Sequence, residues 1–338
     1  MKGTAILASA LCLALSLTGC GAGGAYSAQT AQQEPAQQEP AQREPTGPFT
    51  ADTPVEAVLQ DEVFGDYGRL LFPVDTGYWS GDTLGELQLT WYNNIDPEET
   101  VEIVNTLWQR ANVGETVFYD IYTEEEKAED PAKEDTGLFF FRGDPGAKFA
   151  VCNAGGGFAY VGAMQDSFPH ALELSRRGYN AFALIYRLGA QTACEDLARA
   201  ISFIFEHAEE LEVDTDCYSL WGGSAGGRMA VWLGSYGPAA FGGDELPDLG
   251  PLSCSIGHSD YTENDPPTFA CAGESDGIAN WRTMERRIEA LEALGIPAEF
   301  HHYPGLPDEK RQYYFARLWR RQRNGLLQSR LFGSSGPI

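Results

Sequence analysis

From about residue 115 the chain alternates short apolar runs with longer stretches whose apolar residues recur every three or four positions. No other feature restricts the fold as much. The runs TVFYDIY (116–122), TGLFFFR (136–142), KFAVC (148–152), NAFALIY (180–186), CYSLW (217–221), TFACA (268–272) and PAEFHHY (297–303) read as strands. Between them, Leu197, Ile201, Ile204, Ala208 and Leu211 keep one helical face apolar, and Met284, Ile288 and Leu291 do the same in a helix stopped by Gly295. Strand–helix alternation of this kind predicts an α/β fold with a mainly parallel central sheet and helices on both faces. The stretch 51–113 is less regular. Its one well-marked helix is 97–111, opened by Asp96-Pro97 and carrying Val101, Val104 and Leu107 on one side. Residues 50–114 therefore read as a cap over the site or an N-terminal extension, ahead of a core at 115–307.

The start of the chain reads as a targeting segment. Lys2 precedes an apolar stretch from Ala5 to Leu17, followed by Leu17-Thr18-Gly19-Cys20. Residues 1–20 resemble a bacterial lipoprotein signal, which implies a lipid on Cys20 and an extracytoplasmic, membrane-anchored protein. An ordinary secretory signal with a chance cysteine is the plainer reading. Residues 21–49 repeat QQEPAQQEPAQREP, with almost nothing apolar to bury, and read as a disordered tether.

A formal charge of −26 argues against nucleic acid as a partner. That charge is unevenly spread. Residues 310–338 hold Lys310, Arg311, Arg317, Arg320, Arg321, Arg323 and Arg330 with no acid, leaving 16 basic against 49 acidic residues before them. With Cys12 removed and Cys20 lipidated, five of the seven cysteines remain, an odd number that closes no disulfide framework. Cys152, Cys217 and Cys271 lie in apolar runs and read as buried thiols. No CxxC or histidine-rich cluster suggests a metal.

Chemistry concentrates at Gly222-Gly223-Ser224-Ala225-Gly226, a G-x-S-x-G pattern with a strand before it and a helix after it. Such a turn forces the serine backbone into a strained conformation, and the flanking glycines let strand and helix approach. The helix N-terminus then turns free N–H groups, that of Ala225 included, toward developing negative charge. Phosphate loops and plain tight turns look similar, but no lysine follows these glycines, which disfavours a nucleotide loop. A second motif, Asn153-Ala154-Gly155-Gly156-Gly157-Phe158, follows the strand ending at Cys152 and leaves several backbone amides uncovered.

Together the two motifs resemble the α/β-hydrolase superfamily, nearest to its esterase and lipase branch with an HGGG-type loop. Ala154 stands where that loop has histidine. The resemblance implies a nucleophile at Ser224, an oxyanion hole from Gly156, Gly157 and Ala225, and an acid in the loop after the strand 268–272. Asp276 is the first choice for that acid and Glu274 the second, while Asp260 and Asp265 read as solvated loop carboxylates. No cofactor is implied. The substrate would be a small ester, with acylated carbohydrates and short-chain acyl esters as analogies.

The family order then calls for a histidine soon after the strand ending at Tyr303. The chain has Pro304-Gly305-Leu306-Pro307-Asp308-Glu309-Lys310 instead, and no histidine follows His302. Alternation puts Ala298, Phe300 and His302 on one face of that strand and His301 on the other, so at most one of the pair could serve as a substitute base. His302 is the nearer; His258 is a more distant candidate; His170, ahead of a helix, and His207, among Glu206, Glu209 and Glu210, attract no catalytic reading. Motif loss and charge reversal coincide after about Pro307. Residues 308–338 therefore read as a replaced segment, such as a frameshift product, or as a native basic helix with Tyr314, Phe315 and Leu318 along one side. Two functions stay open: a serine esterase, or a catalytically impaired hydrolase fold that binds an ester- or sugar-like ligand.

Overall fold

The structure is a computed structural model that describes residues 49–91, 95–244, 252–254, 261–263, 265–275 and 280–307. The described residues belong to one compact unit. In chain order the helices are α1 (Val55–Leu59), α2 (Pro97–Asn112), α3 (Glu124–Glu129), α4 (Ser167–Arg176), α5 (Ala190–Glu206), α6 (Ala208–Leu211), α7 (Ser224–Tyr236) and α8 (Trp281–Ala293). The strands are β1 (Trp79–Ser80), β2 (Gln88–Leu89), β3 (Phe118–Tyr119), β4 (Gly137–Phe141), β5 (Ala147–Asn153), β6 (Asn180–Ile185), β7 (Val213–Gly222), β8 (Leu252–Cys254), β9 (Thr268–Ser275) and β10 (Ala298–Pro307).

β1 and β2 form a small antiparallel pair, and the other eight strands form one sheet in the order β10-β9-β8-β7-β5-β6-β4-β3. From β6 to β10 every neighbouring pair is parallel, while β4 runs antiparallel to β6 and β3 antiparallel to β4. The chain leaves β5 toward β6 on one side, then returns to lay β7 against the other side of β5. That reversal opens a crevice at the carboxyl ends of β5 and β7, where sheets of this kind place their ligands. In register, Asn153 lies beside Gly222, so the loops that leave the two strands start level with each other.

Local sequence explains the elements that flank the crevice. β4 and β6 are buried along their whole length, as expected of strands covered on both faces. α5 turns Leu197, Ile201 and Ile204 inward as the periodicity predicts. α2 begins at Asp96, whose carboxylate accepts from Glu98 N at 3.0 Å, and it buries Ile103, Val104, Leu107 and Trp108. The segment before the sheet shares the main core: Phe49, Phe64, Leu71 and Leu107 pack in one continuous cluster with Phe139, Phe149 and Phe182. Its last part reaches the glycine loop, for Tyr78 stacks on Tyr160 at 4.7 Å and Trp91 lies 5.6 Å from the same ring.

One loop carboxylate differs from its expected setting. Asp265 is not solvated but only 4 % exposed, and it is paired with the fully buried Arg287 of α8 at 3.1 Å. Burial pushes its carboxyl up, but bonds from Ser235 Oγ and Thr262 N and the charge of Arg287 outweigh that and hold it below the usual carboxylate range. The pair pins α8 to the loop that feeds β9. Asp265→Asn strands the Arg287 charge and should cost about 3–5 kcal/mol in urea unfolding at neutral pH. A carboxyl held low contributes fully above an unfolded pKa of about 3.9 and loses that contribution as pH falls through the folded value. The gap between wild type and Asp265→Asn should therefore close in unfolding series taken below about pH 4.

Candidate active site

Ser224 is the first residue of α7 and has φ +50, a left-handed conformation that few side-chain-bearing residues adopt. The glycines around it are sterically required. A Cβ on Gly222 would lie 2.3 Å from the Gly226 carbonyl carbon, and one on Gly226 would lie 2.0 Å from the Asn153 carbonyl oxygen. Helix α7 thus starts in contact with the last residue of β5, not only with its own strand. The first intrahelical bond of α7 runs from Gly227 N to Gly223 O at 3.2 Å. The N–H of Ala225 falls before it, among the amides that a helix leaves for other acceptors.

The glycine loop is held from several sides. Tyr186 Oη donates to Ala154 O at 2.7 Å, and Gly155 N donates to the buried Asp166 carboxylate at 2.7 Å. Gly162 N bonds Gly155 O at 2.9 Å, Ala159 N bonds Gly156 O at 3.0 Å, and Gly189 N bonds Phe158 O at 3.1 Å. Gly156 has φ +131, and a Cβ there would sit 2.0 Å from Tyr160 O. Among the described residues, no hydrogen bond uses the N–H of Gly156 or of Gly157. These are two of the three amides that the sequence singles out.

Loop 186–189, which supplies Tyr186 and Gly189, rests on a buried ion pair. Arg187 donates through Nε and Nη2 to Asp196 at 2.9 and 2.7 Å, and its own N–H bonds the same carboxylate at 2.6 Å. Tyr122 Oη adds a third partner to Asp196 at 2.6 Å, and Asp130 takes Arg187 Nη1 at 2.6 Å. Burial pushes the Asp196 carboxyl up despite these bonds. None of Asp166, Tyr186, Arg187 or Asp196 is marked by a sequence motif. The thiol of Cys152, directly before Asn153, is wholly buried; burial first, and the charge of Asp166 second, push it well up. It is no rival nucleophile.

The histidines are placed less favourably. His302 pairs in register with Ala272, and its ring stacks on Trp281 at 4.2 Å, facing α8. The row that contains Trp221 passes through Ser253 and Phe269 to Glu299. β10 is thus three strands from β7, about 14 Å across the sheet. A proton relay needs about 3 Å. The structure does not bring His302 to Ser224. His301 faces the other way, as the alternation requires, and lies 2.5 Å from Glu299 Oε1. His207 caps α5, stacked on Phe203 at 4.1 Å. His170 does not precede a helix but lies within α4, its Nδ1 3.5 Å from Asp166 Oδ1 and its ring 6.1 Å from Trp221. Asp276, His258, Asp260 and Cys20 lie outside the described residues, while Glu274 is exposed near the end of β9. No group of residues suited to holding a metal ion occurs among the described residues.

Residues 144–244 match the BD-FAE family model, a stretch that contains both the glycine loop and Ser224. The chain has the α/β-hydrolase fold. Its fold is similar to that of esterase 2 from the planctomycete Thermogutta terrifontis with butyrate bound, at 17% identity and a TM-score of 0.50, over 65% of this chain and 96% of that one. The acetyl ester-xyloside bifunctional hydrolase of Caldicellulosiruptor lactoaceticus gives 18% identity and a TM-score of 0.49, over 60% of this chain and 95% of that one. MGS-M1, an α/β hydrolase from a Medee basin deep-sea metagenome library, gives 20% and 0.42, over 50% and 76%. At such identities the likeness is one of fold. No curated protein matches the chain in sequence.

In this fold the approach of α7 to β5 leaves no room at position 226. Gly226→Ala should force the helix off the strand and cost at least about 1–3 kcal/mol. A thermal melt lowered by several degrees checks it.

Proposed function

We propose that this protein is a serine esterase. The observation that carries the reading is the left-handed Ser224 at the start of α7, beside a glycine loop with two amides that no described acceptor uses. In this reading Ser224 Oγ attacks an ester carbonyl and its proton passes, through a histidine, to the departing alcohol. The carbonyl oxygen becomes an oxyanion held by Gly156, Gly157 and Ala225. Water then attacks the acyl–Ser224 ester, returns the proton to Oγ and releases the carboxylic acid. Asp276 would orient the histidine and stabilise its charged form. The substrate is a small carboxylic ester, acylated carbohydrates among them, and a net charge of −26 disfavours polyanionic ones. A lipid on Cys20 would hold the enzyme outside the cytoplasm, at the cell surface or the periplasmic face of a membrane.

One observation favours a second reading. None of the described histidines is placed beside Ser224, and the chain has none after His302. A hydrolase fold without its base loses on the order of 10⁶ in turnover and retains the oxyanion site and the binding cleft. It would then act as a binder of ester-like or sugar-like ligands.

A fluorophosphonate probe separates the two. Labelling of the wild-type protein that Ser224→Ala abolishes supports the esterase, and a series of model esters of increasing chain length then defines the acyl preference. Silence from a protein that melts cooperatively supports the binder.

A further inference from the structure

Asp166 is the N-cap residue of α4, yet its side chain makes no capping bond. An aspartate at that position ordinarily accepts from the second or third helical N–H. Here the carboxylate turns away from its own helix and takes Gly155 N at 2.7 Å. It does so while wholly buried, with the His170 ring 3.5 Å from its other oxygen. A buried carboxylate gives up its hydration, which is costly. Such a cost is sustained where the group orders something that a neutral contact would not.

The direction of its field shows what that cannot be. The charge of Asp166 adds to burial in pushing up the Cys152 thiol and the Tyr160 and Tyr186 hydroxyls, so it spreads negative potential behind the glycine loop. Negative potential there opposes an oxyanion instead of stabilising it. The benefit of the group must be geometric. By binding the first glycine amide from behind, Asp166 fixes the peptide plane from which the next two residues take their directions. Tyr186 holds Ala154 O on the upstream side, and Gly162 N holds Gly155 O. The amides of Gly156 and Gly157 are what this scaffold leaves over.

We propose that Asp166 is a positioning residue of the oxyanion hole. It acts through its hydrogen bond to Gly155, with the His170 ring beside its other oxygen, and it does not itself touch the substrate. The proposal rests on the esterase reading for its catalytic consequence but not for its structural one.

Two variants and two measurements test it on the full chain. Asp166→Ala removes the acceptor, while Asp166→Asn keeps an oxygen at the same place and removes the charge. The first readout is amide hydrogen exchange at Gly155, followed by mass spectrometry. Exchange should speed up by about tenfold or more in Asp166→Ala and stay near wild type in Asp166→Asn. The second is the rate of Ser224 phosphonylation and, with a model ester, kcat and KM taken separately. Loss of a well-placed donor costs about 10²–10³ in kcat. Asp166→Ala should fall by about 10² in kcat with KM within about threefold, and Asp166→Asn should recover to within about tenfold of wild type. Unchanged Gly155 exchange in Asp166→Ala overturns the proposal, as does an Asp166→Asn protein that falls as far as Asp166→Ala. If Asp166→Ala does not fold, the exchange and rates of Asp166→Asn decide alone, near-wild-type values supporting the proposal and large losses overturning it. If wild-type Ser224 is silent, the esterase reading fails separately and the exchange comparison still decides the role of Asp166.

Discussion

The contact between Gly226 and the Asn153 carbonyl is the constraint on which the rest of the site depends. Because no side chain fits between them, with a Cβ at 226 only 2.0 Å from that oxygen, α7 begins against β5 as well as β7. A helix so placed begins beside the residue from which the glycine loop leaves β5. The level register of Asn153 and Gly222 completes the geometry, because both loops start from one row of the sheet. Asn153 Nδ2 also donates to Trp221 O at 3.0 Å, tying the two strand ends together. The close approach of helix and strand is an outcome of sterics and strand order, which is why the motif glycines cannot be exchanged for any other residue at 222 or 226.

Around that contact the structure places polar groups where apolar ones would pack more simply. Asp166 and Tyr186 hold the glycine loop at its base, and the Arg187–Asp196–Tyr122 cluster holds the loop that carries Tyr186. A buried pair such as Arg187–Asp196 is weak evidence of net stability, because desolvation offsets much of the attraction. Its geometric effect is clearer. Two loops that would otherwise vary independently are tied to rigid elements, Asp196 to α5 and Asp166 to the start of α4.

How much of this could be seen in the sequence depended on the range of the interaction. The α/β architecture, the strand cores and the serine turn are local patterns, recorded within ten or fifteen residues, and the structure has them. The glycine loop was legible for the same reason. Asp196 was not, because neither it nor its partner Arg187, nine positions earlier, stands in a motif, and its other partner Tyr122 is 74 positions away. Asp265 looked like one more solvated acid in an acidic chain, and only the fold reveals Arg287 beside it, 22 positions later. The distance between His302 and Ser224 needed strand order, which alternation along one strand does not supply. β1, β2 and β8 are two or three residues long, below the length at which period-two patterning can be recognised.

The hairpin of β1 and β2 lies well ahead of the sheet in the chain, yet it ends in Trp91, a half-exposed indole in contact range of Gly157. The ring that approaches Gly157 from that side therefore comes from a separate stretch of sequence from the glycine loop itself. Such a division lets the lining of a cleft drift without disturbing the machinery beneath it. Two descendants of one ancestor could share every residue from 144 to 244 and still accept differently shaped guests.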